Sequence, residues 1–452
     1  MQDNRVQVLL GTVQKLLRRG ANNNLKNVLA KIHPADIAHL FRYLNLKDQT
    51  LLLGLITDKS RAADVLSELD WSEGAHLLEK IDRETIIAIL QEMADDDSVE
   101  LLRNMPDELA DEILSAMKAE HSEEIEQLLG YDEDTAGGIM STDVFFLEQG
   151  LSVQQAIVAL QDAEDFEMVF YVYVTDEHNH LVGVLSLRQL LTVPPATCLK
   201  DIMTTDVLRV RTDMDQEEVA SLVAKYNILG IPVVDEIGKL MGIVTVDDVI
   251  DVMREEANED LFMMAGTSQE ELMYGNKSFH VARLRLPWLL TTLFGGVTTG
   301  FLMWLYRGTL EQAIALITFI PVITGMGGNV GGQTSAIVVR GFATGRIDFS
   351  IIRTIFFKEL RVGLIMGLVC GLAIAAIAFF WHHNVYLGLV VGVAMAVAIS
   401  VAACMGVLAT AFFKKIGIDP AIAASPFVQT VNDITGIMIY FSTATFFLTH
   451  LT

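Results

Sequence analysis

The chain has 452 residues, of which 52 % are hydrophobic, so its composition excludes a disordered chain and disfavours an ordinary soluble enzyme. Its formal net charge of −25 is unevenly divided: residues 1–276 hold 52 Asp and Glu against 21 Lys and Arg, whereas residues 277–452 hold 5 against 11. We therefore expect an acidic soluble part, which would repel nucleic acid and attract cations, followed by a membrane part.

The cysteines and the N-terminal residues favour a cytosolic location for the acidic part. Cys198, Cys370 and Cys404 are widely spaced and offer no disulfide framework, which fits a reducing compartment. The N-terminal residues show no short apolar core followed by a small-residue cleavage site, so we predict no signal peptide.

Residues 1–130 show the spacing of short amphipathic helices. Apolar residues recur every three or four positions in the stretches AADVLSELD, GAHLLEKID, TIIAILQEM, SVELLRNMP and LADEILSAM. Helices this short bury their apolar faces only against neighbouring helices. We therefore predict an all-α superhelical domain.

Residues 131–255 contain an internal repeat. GIMSTDVFFL at 138–147 is echoed by DIMTTDVLRV at 201–210, and HLVGVLSLRQLL at 180–191 by KLMGIVTVDDVI at 239–250. An amphipathic helix and an apolar strand lie between the anchors of each copy, which predicts a βαββα unit. The repeated unit resembles a tandem pair of cystathionine-β-synthase (CBS) domains.

Five apolar stretches follow, each long enough to cross a hydrocarbon core of about 30 Å as a helix. They cover residues 286–306, 313–339, 355–381, 386–413 and 421–449. Lys and Arg concentrate before the first stretch, between the second and third, and between the fourth and fifth, whereas the connection WHHNVY has none. By the positive-inside rule, these charges predict a cytosolic N-terminus and an external C-terminus.

The second stretch is rich in glycine. PVITGMGGNVGGQTSAIVVRG, at 321–341, holds six glycines and one proline, which predicts a helix broken at membrane depth. Polar groups lie in the same segment, at Asn329, Gln333, Thr334 and Ser335. Close helix packing through small residues is the alternative, and it is compatible with a pore.

The fifth stretch contains Asp433 near its middle, where a carboxylate costs about 3 kcal/mol or more and usually marks an ion path or a proton relay. Gln429 and Gly436 share its helical face, and Asn432 is adjacent. The alternative is a pair with an arginine of another span, but no basic residue lies mid-span. With Asn329, these residues form the predicted ion-binding set, whose oxygen ligands suit Mg²⁺ or Ca²⁺ and do not by themselves exclude Co²⁺ or Ni²⁺.

The soluble part carries two sets of carboxylates. One set lies within six residues: Asp95, Asp96, Asp97 and Glu100. The other advances by three and four positions, which makes an acidic stripe on one helix face: Asp248, Asp251, Glu255 and Glu259. A solvated acidic face is the simplest explanation, but the stripe joins the repeat to the first apolar stretch, a position that favours a regulatory role.

The whole chain resembles the MgtE family of magnesium channels and transporters. The resemblance rests on the motifs IHPADIAHL (32–40), DEDTAGGIMS (132–141), GIVTVDDVIDV (242–252), GGNVGGQTSA (327–336) and PFVQTVNDITG (426–436). It implies a multidomain membrane protein with an all-α superhelical N domain at 1–130, an α/β tandem CBS pair at 131–255, a connecting (plug) helix region at 256–280 and an all-α transmembrane pore domain of five helices at 281–452.

The resemblance also implies a homodimer in the bacterial inner membrane, with the pore between the two membrane domains. In that pore Asp433 would hold a hydrated Mg²⁺, an ion that dehydrates reluctantly. Cytosolic Mg²⁺ would close the pore by bridging the N domain, the second CBS copy and the plug helix, and ATP could modulate the CBS pair. The implied Mg²⁺ ligands are Asp64, Asp96, Glu100, Asp248, Asp251, Glu259 and Asp260.

The chain departs from the family pattern at a few positions. Asn227 stands where the CBS pattern has Asp, which weakens one implied gating site. Ser425 and Gln429 replace other small or polar residues in the pore segment, so the local pore chemistry can differ.

These features predict a Mg²⁺-selective channel with negative feedback and no enzymatic activity. One alternative is a secondary transporter coupled to H⁺ or Na⁺, with Asp433 carrying the proton, although an odd number of spans disfavours the inverted repeats common in such transporters. Another is a membrane-bound enzyme with a CBS regulatory module, but the sequence shows no nucleophile–base pair, phosphate loop or metal-hydrolase motif.

Overall fold

The computed structural model describes residues 2–162, 171–268, 271, 278–422 and 426–451. The chain divides into two compact units, Met1–Val252 and Met253–Thr452.

The N-terminal part of the first unit is helical, as the apolar spacing predicts. Its helices are α1 Gln2–Arg18, α2 Asn22–Leu29, α3 Pro34–Phe41, α4 Leu46–Leu55, α5 Lys59–Ser67, α6 Trp71–Leu78, α7 Arg83–Leu90, α8 Asp95–Arg103, α9 Asp107–Ala116 and α10 Ala119–Leu129. Asn45, Asp70 and Asp82 start α4, α6 and α7 by accepting a hydrogen bond from a backbone N–H of the first turn.

These helices form a superhelical stack. Each helix packs against the next but one along the chain, from α1 against α3 to α8 against α10. Leucine and isoleucine side chains between them are fully buried, for example Leu25, Ile37 and Leu66. Short helices are stabilised here by neighbours, because isolated helices of this length are marginal in water.

The repeat folds as two copies of one βαββα unit, which confirms the predicted α/β pair. The first copy has β1 Phe146–Glu148, α11 Val153–Asp162, β2 Tyr171–Thr175, β3 Leu181–Ser186 and α12 Leu187–Thr192. The second has β4 Val210–Arg211, α13 Gln216–Tyr226, β5 Gly230–Val234, β6 Leu240–Thr245 and α14 Val246–Ala265. In each sheet the first pair of strands is parallel and the second antiparallel.

The two copies pack against each other through a shared apolar cluster. Tyr173 of β2 is almost completely buried in it, together with Val234 and Leu240 of the second copy. The Tyr173 hydroxyl donates a 3.4 Å hydrogen bond to the carbonyl of Gly230. The buried hydroxyl is therefore satisfied across the boundary between the copies.

The second unit consists of long apolar helices and short connecting ones. They are α15 Ser278–Leu305, α16 Arg307–Gln312, α17 Ile320–Ala343, α18 Ile352–His382, α19 Val385–Lys415, α20 Pro420–Ile422, α21 Val428–Phe446 and α22 Leu448–Leu451, with a 3₁₀ segment at Ile314–Phe319. Among the described residues, four segments are long and apolar enough to cross a membrane: Ser278–Leu305, Ile314–Ala343, Ile352–His382 and Val385–Lys415.

These four segments cover the first four predicted spans, and α20 to α22 cover the described part of the fifth. Helix α21 has 19 residues and packs against α15, α17 and α19, but it does not belong to the set of four. Its Gln429, Asn432 and Asp433 lower its mean hydropathy. Residues 423–425, including Ser425, lie outside the described residues.

The expectation of a broken helix in the glycine-rich second stretch is wrong. Helix α17 runs without interruption from Ile320 to Ala343, because Pro321 lies in its first turn, where a missing N–H costs no hydrogen bond. The glycines serve packing instead. A Cβ on Gly331 would overlap the Asn432 amide of α21, and one on Gly406 of α19 would lie 2.6 Å from the Gly331 carbonyl oxygen.

Candidate functional site

The polar residues of α21 differ in their surroundings. Asp433 is half-buried and Gln429 is exposed, whereas Gly436 is buried and Asn432 is only 1 % exposed. Gln429 and Asp433 are four residues apart, so they lie on one helix face with the half-buried carboxylate at the edge of the packed interior. Asn432 points instead into the contact with α17.

Asn432 is an unusual residue of this contact. Both atoms of its side-chain amide are buried without a hydrogen-bond partner among the described residues. A buried amide without a hydrogen-bond partner lowers the free energy of unfolding by about 1–3 kcal/mol. The Asn432 side chain therefore destabilises the contact with Gly331 in which it lies.

Of the polar residues predicted on α17, Asn329 lies beside the contact with α21. Asn329 is exposed, and its neighbour Gly328 approaches Gln429 so closely that a Cβ there would lie 3.2 Å from Gln429 Cγ. The backbone next to Asn329 thus contacts the residue that precedes Asp433 by one helical turn.

Sequence reasoning overlooked a buried carboxylate of α18, Glu359. It is 5 % exposed, its Oε2 accepts a 3.4 Å hydrogen bond from Thr334 of α17, and Lys358 Nζ lies 3.4 Å from its Oε1. Ser335 and Thr410 continue the polar contact with a 2.7 Å hydroxyl–hydroxyl bond between α17 and α19. The signal was available, since Glu359 falls within the predicted span 355–381.

In the first unit, Asp96 of α8 faces Asp248 of α14. Burial, followed by the charges of Asp248 and Asp97, raises the pKa of Asp96 well above its usual range. Burial also raises the pKa of Asp248 to about 6, although Thr245 donates hydrogen bonds to it. Asp96 Oδ1 is buried with no hydrogen-bond partner among the described residues. Two carboxylates from different domains thus share a water-poor site.

Local structure explains why acids occupy these two positions. Asp95, Asp96 and Asp97 form the first turn of α8, where negative charge complements the helix dipole. Asp248 reaches back to the backbone N–H of Thr245 at 3.1 Å, as the third residue of a helix does in a capping box. These roles account for a carboxylate at each helix start, but they do not require the two helix starts to face each other.

The other predicted Mg²⁺-sensing residues differ from one another in burial and in their partners. Glu100 accepts a 2.9 Å hydrogen bond from Arg103, whose second nitrogen donates to the Tyr131 carbonyl. Burial still raises the pKa of Glu100. Asp64 of α5 is exposed, as is Asp251 of α14. Glu100 therefore already has a cationic partner, whereas Asp96 and Asp248 face like charge.

Helix α14 is continuous over 20 residues, Val246–Ala265, and contains the predicted acidic stripe. Glu259 on it is exposed and Asp260 is half-buried. Near its C-terminal end, Met263 and Met264 pack against the buried Val339 of α17 and Ala421 of α20. These four residues all belong to the second unit, which begins at Met253.

Asn227 occupies the C-cap of α13. Its φ of 52° lies in the left-handed region, which Asn tolerates better than most residues. The departure from Asp at this position is compatible with the local fold.

Three family models match the chain, one of them twice. They are described as MgtE divalent cation transporter (residues 320–443), MgtE intracellular N domain (32–134) and CBS domain (136–195 and 199–255). The matches follow the helical part, the two βαββα copies and the membrane helices described above.

Similar proteins extend over nearly the whole chain. A magnesium transporter MgtE of Thermus thermophilus is 37 % identical over 96 % of this chain and 97 % of its own length. One of Bacillus subtilis is 35 % identical over 96 % of both chains. A solved structure of the cytosolic domain of the Mg²⁺ channel MgtE in complex with ATP matches 54 % of this chain and 99 % of its own, at 38 % identity and a TM-score of 0.52.

This chain and the two transporters are more than one third identical over almost their full lengths, which is sufficient to assign them to one family. The chain therefore belongs to the MgtE family of magnesium transporters and is a multi-pass membrane protein of Mg²⁺ transport.

Proposed function

We propose that this protein is a Mg²⁺-selective channel that cytosolic Mg²⁺ closes by binding between the N domain and the second CBS copy. The observation that carries the proposal is the buried pair Asp96 and Asp248, in which Asp96 Oδ1 has no hydrogen-bond partner among the described residues. Two carboxylates brought together out of water repel each other and lose their hydration. A cation between them offsets both costs.

The donor set of this pair suits Mg²⁺. Both residues offer carboxylate oxygens, the ligands that Mg²⁺ prefers, and the ion can keep waters on its remaining positions. When Mg²⁺ is scarce, the repulsion favours separation of α8 from α14. Asp64, Glu100, Asp251, Glu259 and Asp260 are proposed to bind further Mg²⁺ ions of the same closed state.

Helix α14 is proposed as the element that transmits closure. Asp248 lies in its first turn, and Met263 and Met264 near its last turn pack against α17 and α20. A helix of this length spans about 30 Å. Binding at its start would therefore shift the contacts made by its end. Residues 256–280 would then act as the plug region between CBS domains ending at 255 and a pore domain beginning at 281.

The pore is proposed to run past Asp433. Its carboxylate would hold hydrated Mg²⁺ through water, with Gln429, Gly436, Asn432 and Asn329 shaping the path. The pore would lie between the membrane domains of a homodimer. Helix α15 supports this arrangement, because it exposes a row of large apolar side chains suited to lipid or to a second copy, among them Leu289, Leu293 and Phe294. The pore domain would cross the bacterial inner membrane with the N-terminus cytosolic and the C-terminus outside.

ATP is proposed as a modulator of the CBS pair. The support is the relative of 38 % identity whose cytosolic domain was solved in complex with ATP.

A transporter driven by H⁺ or Na⁺ is the second candidate. Glu359 favours this candidate. It is a buried carboxylate of α18 that accepts a hydrogen bond from Thr334 of α17, and it would be a second group, besides Asp433, able to carry a proton within the membrane helices.

Mg²⁺ flux into proteoliposomes tests both candidates. Flux would be measured at several Mg²⁺ concentrations on the cytosolic face, without any H⁺ or Na⁺ gradient, for wild type, Asp248→Asn and the control Glu236→Gln, which changes a strongly exposed acid of the same CBS copy. We expect gradient-independent flux that Mg²⁺ inhibits in wild type and control but much less in Asp248→Asn. Flux that requires an H⁺ or Na⁺ gradient would support the coupled transporter.

A further inference from the structure

A second cluster of metal-ligating side chains lies between α8 and α10 of the N domain. Asp95, His121 and Glu124 each offer one ligand atom, and these three atoms lie within 4.8 Å of one another. The cluster contains an imidazole nitrogen, so it differs chemically from the all-oxygen pair of Asp96 and Asp248.

The spacing of the buried ligands fits a single metal ion. The Asp95 side chain is 3 % exposed, and its Oδ1 lies 3.2 Å from His121 Nδ1. Two ligands bound to one metal at about 2.1 Å, at angles between 90° and the tetrahedral value, lie about 3.0–3.4 Å apart. Glu124 is exposed, so it can complete the site from the solvent side without a burial cost.

The atoms behind the ligands are arranged as they are around known metal sites. His121 Nε2 lies 3.1 Å from the carbonyl oxygen of Leu90, to which it donates a proton, so in the neutral imidazole the Nδ1 lone pair is directed at Asp95 and available to a metal ion. The other oxygen of Asp95, Oδ2, accepts a hydrogen bond from the Thr142 hydroxyl. Both buried ligands are thus oriented by groups outside the cluster.

We propose that Asp95, His121 and Glu124 bind a divalent first-row transition-metal ion, with Zn²⁺ and Co²⁺ bound more tightly than Mn²⁺. One imidazole and two carboxylates suit these ions, whereas Mg²⁺ prefers oxygen ligands alone. The order of affinity follows the general trend for divalent ions at nitrogen and oxygen sites.

The position of this site gives it a regulatory consequence. Asp95 precedes Asp96 in the first turn of α8 and is bonded to Thr142, which lies in the first CBS copy. A metal ion would hold α8 to α10 and fix the carboxylate that contacts Thr142. It would thereby favour the closed state at lower Mg²⁺. This consequence rests on the proposed function, whereas the binding site itself does not.

Co²⁺ binding to the full-length protein in detergent, with a saturating Mg²⁺ background, tests the site. We expect wild type to bind one equivalent per chain that His121→Gln loses and Glu124→Gln binds at least tenfold more weakly. His76→Gln is the matched control, because His76 is an exposed histidine 3.4 Å from Glu79 and should leave Co²⁺ binding unchanged. Equal binding by wild type and His121→Gln would overturn the proposal and leave Asp95 and His121 as an ordinary ion pair.

Glu124→Gln keeps the test decisive if His121→Gln fails to fold, since Glu124 is exposed. Unchanged Co²⁺ affinity in Glu124→Gln would overturn the three-ligand site.

The regulatory consequence is tested by adding Zn²⁺ to the cytosolic face during the Mg²⁺ flux measurement. We expect closure at lower Mg²⁺ in wild type but not in Glu124→Gln. Co²⁺ binding without this shift would overturn the regulatory part alone. If Mg²⁺ does not inhibit flux through the wild-type protein at all, the proposed function is overturned, but the conclusion from Co²⁺ binding is unaffected.

Discussion

The buried pair of Asp96 and Asp248 in the first unit contrasts with the buried Glu359 of the second unit. In the first unit, Asp96 and Asp248 face each other, and the Oδ1 atom of Asp96 lacks a partner among the described residues. In the second unit, the buried Glu359 has both a hydroxyl donor and a nearby ammonium. An added cation or proton would therefore stabilise the pair in the first unit, whereas Glu359 has its partners within the membrane unit.

The largest expected effect comes from the half-buried carboxylate of the membrane unit. Asp433→Asn keeps the size of the side chain but removes the charge that would attract a hydrated divalent ion, so we expect Mg²⁺ flux in proteoliposomes to be lost. Glu311→Gln, at an exposed position of α16, is the control and should retain flux. Persistent flux in Asp433→Asn would remove Asp433 from the proposed ion path.

The next effect concerns the charged pair of the first unit. Asp96→Asn and Asp248→Asn should each raise the Mg²⁺ concentration for half-closure about 5- to 100-fold, because each removes a proposed Mg²⁺ ligand of the closed state. If the two residues share one ion, the double variant should be little worse than either single variant. Additive shifts, measured by flux, would mean that they act at separate sites.

A smaller effect is expected where glycine allows α17 to approach α21. Gly331→Ala places a methyl group on the Asn432 amide and should destabilise the membrane unit by about 1–3 kcal/mol, seen as a lower Tm in detergent. Gly325→Ala is the control on the same helix, since a Cβ there meets nothing within 4 Å. Adding Asn432→Ala should recover part of the lost stability, and a failure to do so would place the clash elsewhere.

The smallest effect is a pH dependence confined to the first unit. Burial raises the pKa of Asp248 to about 6, so between its ordinary value of 3.8 and about 6 the folded protein binds protons that the unfolded chain releases. Without Mg²⁺, resistance of the first unit to proteolysis should therefore increase as pH falls through about 6 and be lost as pH rises. The pH dependence should weaken in Asp248→Asn, and an unchanged profile there would assign it to other groups.

Local sequence patterns were sufficient to predict much of the secondary structure of this protein. The repeat anchors predicted both βαββα copies, because strands and helices differ in the spacing of their apolar residues and each pattern occurs in both copies. Helix α17 was not predicted correctly. Glycine and proline content alone cannot distinguish a broken helix from a tightly packed one, and the outcome depended on the close approach of Asn432 and Gly406.

Composition and periodicity by themselves determined the acidic soluble half, the apolar helices and the candidate role of Asp433, because these follow from transfer energies and helical spacing along the chain. Only the tertiary structure decided that Asp96 faces Asp248, that Glu359 has partners, and that His121 lies beside Asp95. These contacts join residues far apart in sequence, so their energies depend on burial and neighbours that no local pattern contains.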